Sequence, residues 1–163
     1  MSLRPTKAVG RGLGALSKVG QAQAAAILLD TNAIIRAQLD RDLGSEARAA
    51  IQAAQAEDGI LVSVVSAWEI GLLARNRQSP TGRLFQPDAA RWFDNVLSAP
   101  GVRIAPMNHQ IAFAAWNLPE PIHGDPADRL MIAIARELNV PLVTRDRAIL
   151  DYAAAGHVRA IAC

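Results

Sequence analysis

The stretch Ala26-Ile27-Leu28-Leu29-Asp30-Thr31-Asn32 constrains the fold of this chain more than any other. Four apolar residues run straight into an acid, a hydroxyl and an amide. A short unbroken apolar run reads as a strand buried on both faces, the kind found in a parallel sheet. A carboxylate that ends such a strand stands at the sheet edge where open α/β folds bind their ligands. What the chain does then depends on which other acids reach that edge.

The alternation of the remaining segments supports a parallel sheet. Ser45 caps a helix expected over Glu46–Gln55, and Ile60–Val65 is a second β-branched run expected as a strand. A helix follows from Ser66 to about Arg77, a loop over Gln78–Pro87, and a helix from the cap Asp88 through Leu97. Val102–Ala105 is a third strand, and Asn108 caps a helix over His109–Asn117. Asp125-Pro126 opens the clearest helix, with Ala127, Leu130, Met131, Ile134, Ala135 and Leu138 at i, i+3, i+4 spacing. Val140–Val143 and Val158–Ala162 are the last two strands, separated by a helix that starts at Asp146. This predicts an α/β fold of three layers, a central, mostly parallel five-stranded sheet with helices on both faces.

The acids fall at corresponding places on this map. Asp30 ends the first strand, and Glu69 is expected in the first turn of the helix after the second. Asp128 lies in the first turn of the clearest helix, and Asp146 lies just past the fourth strand. In a parallel sheet all strand C-termini share one edge, so these carboxylates can converge. Each has an ordinary alternative except Asp30, since capping alone does not explain an acid that ends a buried strand. Ser66-x-x-Glu69 has the spacing of a capping box, and Asp125-Pro-Ala-Asp128 is common helix-start chemistry. Asp146 can serve as an N-cap. Taken together, carboxylates about 4–6 Å apart repel unless a cation joins them. Mg²⁺ or Mn²⁺ suits such all-oxygen ligands.

Composition narrows the rest. A chain of 163 residues that is 51% hydrophobic and 20% charged can form one globular domain with a real core. No apolar run approaches the roughly 18 residues of a membrane span, and no signal-peptide core is present, so a cytoplasmic protein is expected. Cys163 is the sole cysteine, and His109, His123 and His157 lack metal-ligand spacing, so zinc is not indicated. Residues 1–20 hold Arg4, Lys7, Arg11 and Lys18 and no acid, whereas the remainder sets 13 Arg against 15 acids. Residues 1–23 are expected as a flexible basic leader. Gly10, Gly12 and Gly14 precede the first strand and no Gly-Lys-Ser/Thr follows them, so they make no phosphate loop.

Four segments resemble, in order, the signatures of PIN-domain proteins, and within them the VapC-type toxins of bacterial toxin–antitoxin pairs. They are Leu29-Asp30-Thr31-Asn32, Ser66-Ala67-Trp68-Glu69-Ile70, His123 through Arg129, and Leu142-Val143-Thr144-Arg145-Asp146. The resemblance implies a PIN domain over residues 24–163 that acts as a Mg²⁺- or Mn²⁺-dependent endoribonuclease. Asp30, Glu69, Asp128 and Asp146 would form its catalytic metal site, with Asn32 and Thr144 as supporting polar residues. Asp125 would be either a further acidic contact or a helix cap. The resemblance also implies a homodimer and a cognate antitoxin over the active site. Arg129, Arg145 and Arg147 flank the acids, where they either bind RNA phosphates or offset the acidic charge. Trp68, Trp92 and Trp116 are candidates for base stacking, with core or dimer packing the more ordinary role. Two rivals stand beside this reading. A non-catalytic PIN-like binding module would dock a partner only. An aspartyl-phosphate domain at Asp30 would want a lysine at the phosphate, and the body has none.

Overall fold

The computed structural model describes residues 26–163 apart from His123. The expected leader, 1–23, lies outside the described residues, as does His123 among the sequence motifs.

Five strands form one sheet: β1 (Ile27–Leu29), β2 (Ile60–Val62), β3 (Val102–Ile104), β4 (Leu142–Thr144) and β5 (Ala160–Ala162). Their order is β3-β2-β1-β4-β5 and every pairing is parallel. The chain therefore builds outward from β1 to one side and then returns to the other. The reversal falls between β1 and β4, which places a crevice beyond their carboxyl ends.

Among the described residues eight helices pack on this sheet: α1 (Thr31–Gln38), α2 (Ser45–Ala56), α3 (Val64–Arg75), α4 (Pro80–Arg83), α5 (Ala89–Leu97), α6 (His109–Trp116), α7 (Pro126–Glu137) and α8 (Arg147–Ala154). Strand residues alternate between two cores. Leu28, Leu61 and Leu142 join Ile111, Met131, Ile132 and Ile149 on one face. Ile27, Leu29, Ile60, Val62 and Val143 join Ile34, Ile70, Phe85, Phe93 and Val96 on the other. This is the three-layer arrangement expected from the sequence, with a wholly parallel sheet.

Several boundaries differ from expectation. The run Ile60–Val65 is not one strand: β2 ends at Val62 and α3 begins at Val64. Ser63 decides this, because its side chain accepts a hydrogen bond from the Val65 N–H at 3.0 Å and caps the helix. A β-branched run cannot by itself tell a buried helix start from a strand. Gly44, not Ser45, is the residue before α2. The loop expected over Gln78–Pro87 contains the short α4, capped by Ser79 through the Gly82 N–H at 2.9 Å.

Candidate active site

Asp30, Asp125, Asp128 and Asp146 are set by helix starts, and Glu69 by the second turn of α3. Asp30 leaves β1 and is the N-cap of α1, with Oδ1 accepting the Thr31 N–H at 2.6 Å. Its Oδ2 accepts the Thr144 hydroxyl, from the end of β4, at 2.7 Å. That same hydroxyl oxygen accepts the Asp146 N–H at 3.0 Å. Asp146 is the N-cap of α8, accepting the Ile149 N–H at 3.0 Å. On the other side of Asp30, the Thr31 hydroxyl donates to Glu69 Oε2 at 2.6 Å. Two threonines thus tie three acids into one network, Glu69 through Thr31 to Asp30 and on through Thr144 to Asp146. Asp125 caps α7 through the Ala127 N–H at 2.8 Å, and Asp128 is half-buried in the first turn of that helix.

The electrostatics show that these groups share a field. Asp30, only 5% exposed, has its carboxyl pKa raised, chiefly because burial disfavours the charge. The bonds from Thr144 and Thr31 oppose that rise, and the Asp146 charge adds to it. Glu69 is also raised, first by burial and then by the charges of Asp30 and Asp125, against the Thr31 bond. A cation in this crevice would oppose both rises. The oxygen-only donor set suits a hard divalent ion, which retains several waters and needs as few as one or two carboxylates. Among the described residues, no three His, Cys, Asp or Glu side chains gather closely enough to hold one ion by themselves.

Glu69 lies in the second turn of α3 and not the first, because the helix starts two residues earlier than expected. The capping-box reading of Ser66 and Glu69 falls for the same reason. Ser63 is the cap, and Ser66 is fully buried with no hydrogen-bond partner for its hydroxyl among the described residues. Asn32 is exposed, while its neighbour Thr31 makes the bridge to Glu69. Sequence reasoning passed over Thr31, although it stands in the same Asp-Thr-Asn signature.

The chain matches the family model of the PIN domain over residues 27–155. The chain is a PIN-domain protein. PIN domains are generally nucleases, and they generally use a divalent metal. Among solved structures the fold is similar to that of VapBC2 from Rickettsia felis bound to a DNA fragment from their promoter, with a TM-score of 0.60 and 15% identity over 84% of this chain and 98% of that chain. It is also similar to FitAcB from Neisseria gonorrhoeae, with a TM-score of 0.50 and 19% identity over 83% of this chain and 96% of that chain. No curated protein matches the chain. No helix among the described residues is long and apolar enough to cross a membrane.

The cations and aromatic rings of this PIN domain are divided between fold and surface. Arg129 donates through Nε to the Ala115 carbonyl and through a terminal nitrogen to that of Trp116, each at 3.0 Å, so it closes the end of α6. Arg145 is exposed beside the crevice, and Arg147 stands 3.6 Å from Asp151 at the surface. Trp92 is a packing residue, edge-on to Phe85 with ring centroids 4.9 Å apart. Trp68 and Trp116 are 58% and 78% exposed and belong to neither core. His157 stacks against Tyr152 with centroids 4.6 Å apart, and His109 begins α6 at the surface.

Proposed function

We propose that this PIN domain is a VapC-type toxin, a cytoplasmic Mg²⁺- or Mn²⁺-dependent endoribonuclease that hydrolyses RNA phosphodiester bonds. The observation that carries the reading is the buried carboxylate of Asp30 at the sheet's switch point, linked through Thr31 and Thr144 to Glu69 and Asp146. A buried acid whose charge is disfavoured by its surroundings needs a positive partner to ionise fully, and a divalent ion provides one.

Asp30, Glu69, Asp128 and Asp146 would line the site of one or two ions, one or two of them binding an ion directly and the others through its waters, with Asp125 at the rim. A divalent ion bound there supplies Lewis acidity toward a phosphate and an acidified water at neutral pH. Thr144 keeps the Asp30 carboxylate in one orientation, and Thr31 does the same for Glu69. A carboxylate of the set takes the proton of the attacking water. The new bond forms between water oxygen and phosphorus, the bond to one sugar oxygen breaks, and a proton passes to that leaving oxygen. Arg145 and Arg147, exposed on either side of Asp146 in the sequence, would offset the charge of flanking phosphates.

The likeness to the VapBC2 and FitAcB structures supports a cognate antitoxin as partner. The apolar stripe Val64, Trp68 and Leu72 along α3, exposed at 46%, 58% and 44%, supports a homodimer. The deciding experiment is cleavage of total RNA by purified protein with Mg²⁺ or Mn²⁺, run beside EDTA and an Asp30→Asn variant. Discrete fragments that require both metal and Asp30 are expected. Cleavage that survives in Asp30→Asn would overturn the metal-site assignment, and a folded protein that binds no Mn²⁺ and cuts nothing would be a docking module.

A further inference from the structure

We propose that the cavity where the end of α6 meets the start of α7 is a nucleobase subsite. It takes one RNA base flanking the cleaved bond and prefers a base that carries an exocyclic amino group. The inference rests on the ribonuclease reading above and adds the source of its base selectivity.

The cavity has a volume of about 440 Å³ and is bordered by Trp116, Glu120, Gly124, Pro126, Arg129 and Leu130. That is within the range of small-ligand sites, about 300–1,000 Å³. Gly124 and Pro126 flank Asp125, the cap of α7, and Asp128 lies in the first turn of the same helix. The cavity therefore shares the start of α7 with two acids of the proposed site, and a nucleotide next to the scissile one would lie over it.

Its walls have the chemistry of base recognition. Trp116 is the most exposed large hydrophobic residue among those described, at 78%, and it sits on the cavity border. Every base has a π-face, and aromatic rings at the surface are the usual platform for single-stranded nucleic acid. The backbone that carries the platform is anchored, because Arg129 spends two donors on the Ala115 and Trp116 carbonyls and its side chain is only 17% exposed. Glu120 lies opposite in the loop after α6. One of its oxygens accepts the Ile122 N–H at 2.9 Å, and the other is 3.9 Å from the Arg129 guanidinium. Its side chain is 73% exposed, so it retains lone pairs for a ligand. An ionised carboxylate only accepts hydrogen bonds. It matches the amino groups of cytosine, adenine and guanine, whereas uracil sets two carbonyl oxygens around its one N–H.

The test measures binding of labelled single-stranded RNA oligonucleotides to the Asp30→Asn protein in Mg²⁺, so that nothing is cut. An abasic nucleotide is stepped along the oligonucleotide. Trp116→Ala is expected to weaken binding about 5- to 150-fold, the equivalent of the ~1–3 kcal/mol of one stacked base. Trp116→Phe should retain most of the affinity. The Trp116→Ala effect should vanish on the one oligonucleotide whose abasic position occupies the subsite. Glu120→Gln, whose amide donates to a carbonyl as well as accepting from an amino group, should narrow the preference for cytidine and adenosine over uridine by strengthening the binding of uridine.

Wild-type binding and base preference in Trp116→Ala would overturn the subsite, all the more if light scattering showed that variant to have lost a dimer, since Trp116 would then be a subunit contact. Cleavage by the parent protein, assayed in parallel, separates the two levels. RNA cut with an unchanged preference in Trp116→Ala overturns the subsite alone. RNA neither cut nor bound by the parent overturns the ribonuclease reading, and the subsite falls with it.

Discussion

Replacing Thr144 with valine removes a single hydroxyl from the centre of the crevice and keeps the side-chain shape. Thr144 is fully buried, donates to Asp30 Oδ2 at 2.7 Å and accepts from the Asp146 N–H at 3.0 Å. The substitution leaves a buried carboxylate oxygen and a backbone N–H without partners. A hydrogen bond to a charged group is worth about 1.5–3 kcal/mol, and a neutral one about 0.5–1.5 kcal/mol. The methyl that replaces the hydroxyl returns about 0.8 kcal/mol. The expected net destabilisation at neutral pH is therefore roughly 1–4 kcal/mol, or a fall in melting temperature of about 2–16 °C for a domain of this size.

The effect must also depend on pH, and its sign is fixed. The Thr144 bond lowers the Asp30 pKa against the larger rise from burial, so it favours the ionised form. Its loss raises the folded-state pKa further. The charged share of the destabilisation is then present above that pKa and disappears as pH falls toward the ordinary carboxylate value of 3.8. Thermal and urea unfolding of both proteins in metal-free buffer, at neutral pH and at a pH near 3.8, measures this. A loss under ~0.5 kcal/mol at neutral pH, or an equal loss at both, would refute the claim that Thr144 supports an ionised, buried Asp30.

Asp30→Asn should raise the metal-free melting temperature while abolishing cleavage, because burial penalises the charge that the chemistry needs. Relative to that variant, the wild type should lose stability as pH rises from 3.8 through the raised Asp30 pKa, and calorimetry that shows no such difference would remove the electrostatic argument. Mn²⁺ at about 100 times its dissociation constant should stabilise the wild type by ~2.7 kcal/mol and Asp30→Asn by much less, read as a thermal shift. Arg129→Met should cost about 2 kcal/mol through the two carbonyls it leaves at the end of α6, and an unchanged urea midpoint would show that water replaces the guanidinium at no cost. Gly82→Ala should destabilise by at least ~2 kcal/mol, since a Cβ there would lie 2.0 Å from the Asn76 carbonyl oxygen; a neutral result would mean that α4 shifts freely.

Helix-start chemistry made much of the architecture readable. Asp88, Asn108, Asp125 and Asp146 each cap the helix that their position in the sequence suggests, because a side-chain oxygen next to unpaired N–H groups is a local requirement. Where the local signal was shared by two structures, reading failed. Val64 and Val65 extend an apolar run that suits a strand, yet Ser63 already has the hydroxyl that starts α3. That shift of two residues moved Glu69 by half a turn and replaced a capping role with a bond to Thr31.

The sequence alone determined that apolar runs alternate with helices and that acids follow strand ends, because periodicity and capping are satisfied by near neighbours. Only the tertiary structure decided that β4 lies beside β1, which brings Thr144 to Asp30 across 114 residues of chain. Only it placed Thr31 against Glu69, buried Asp30, and left Trp116 in the open beside Glu120. Strand order and side-chain burial are settled by packing two cores on one sheet, a condition imposed by the whole chain at once and carried by no single stretch of it.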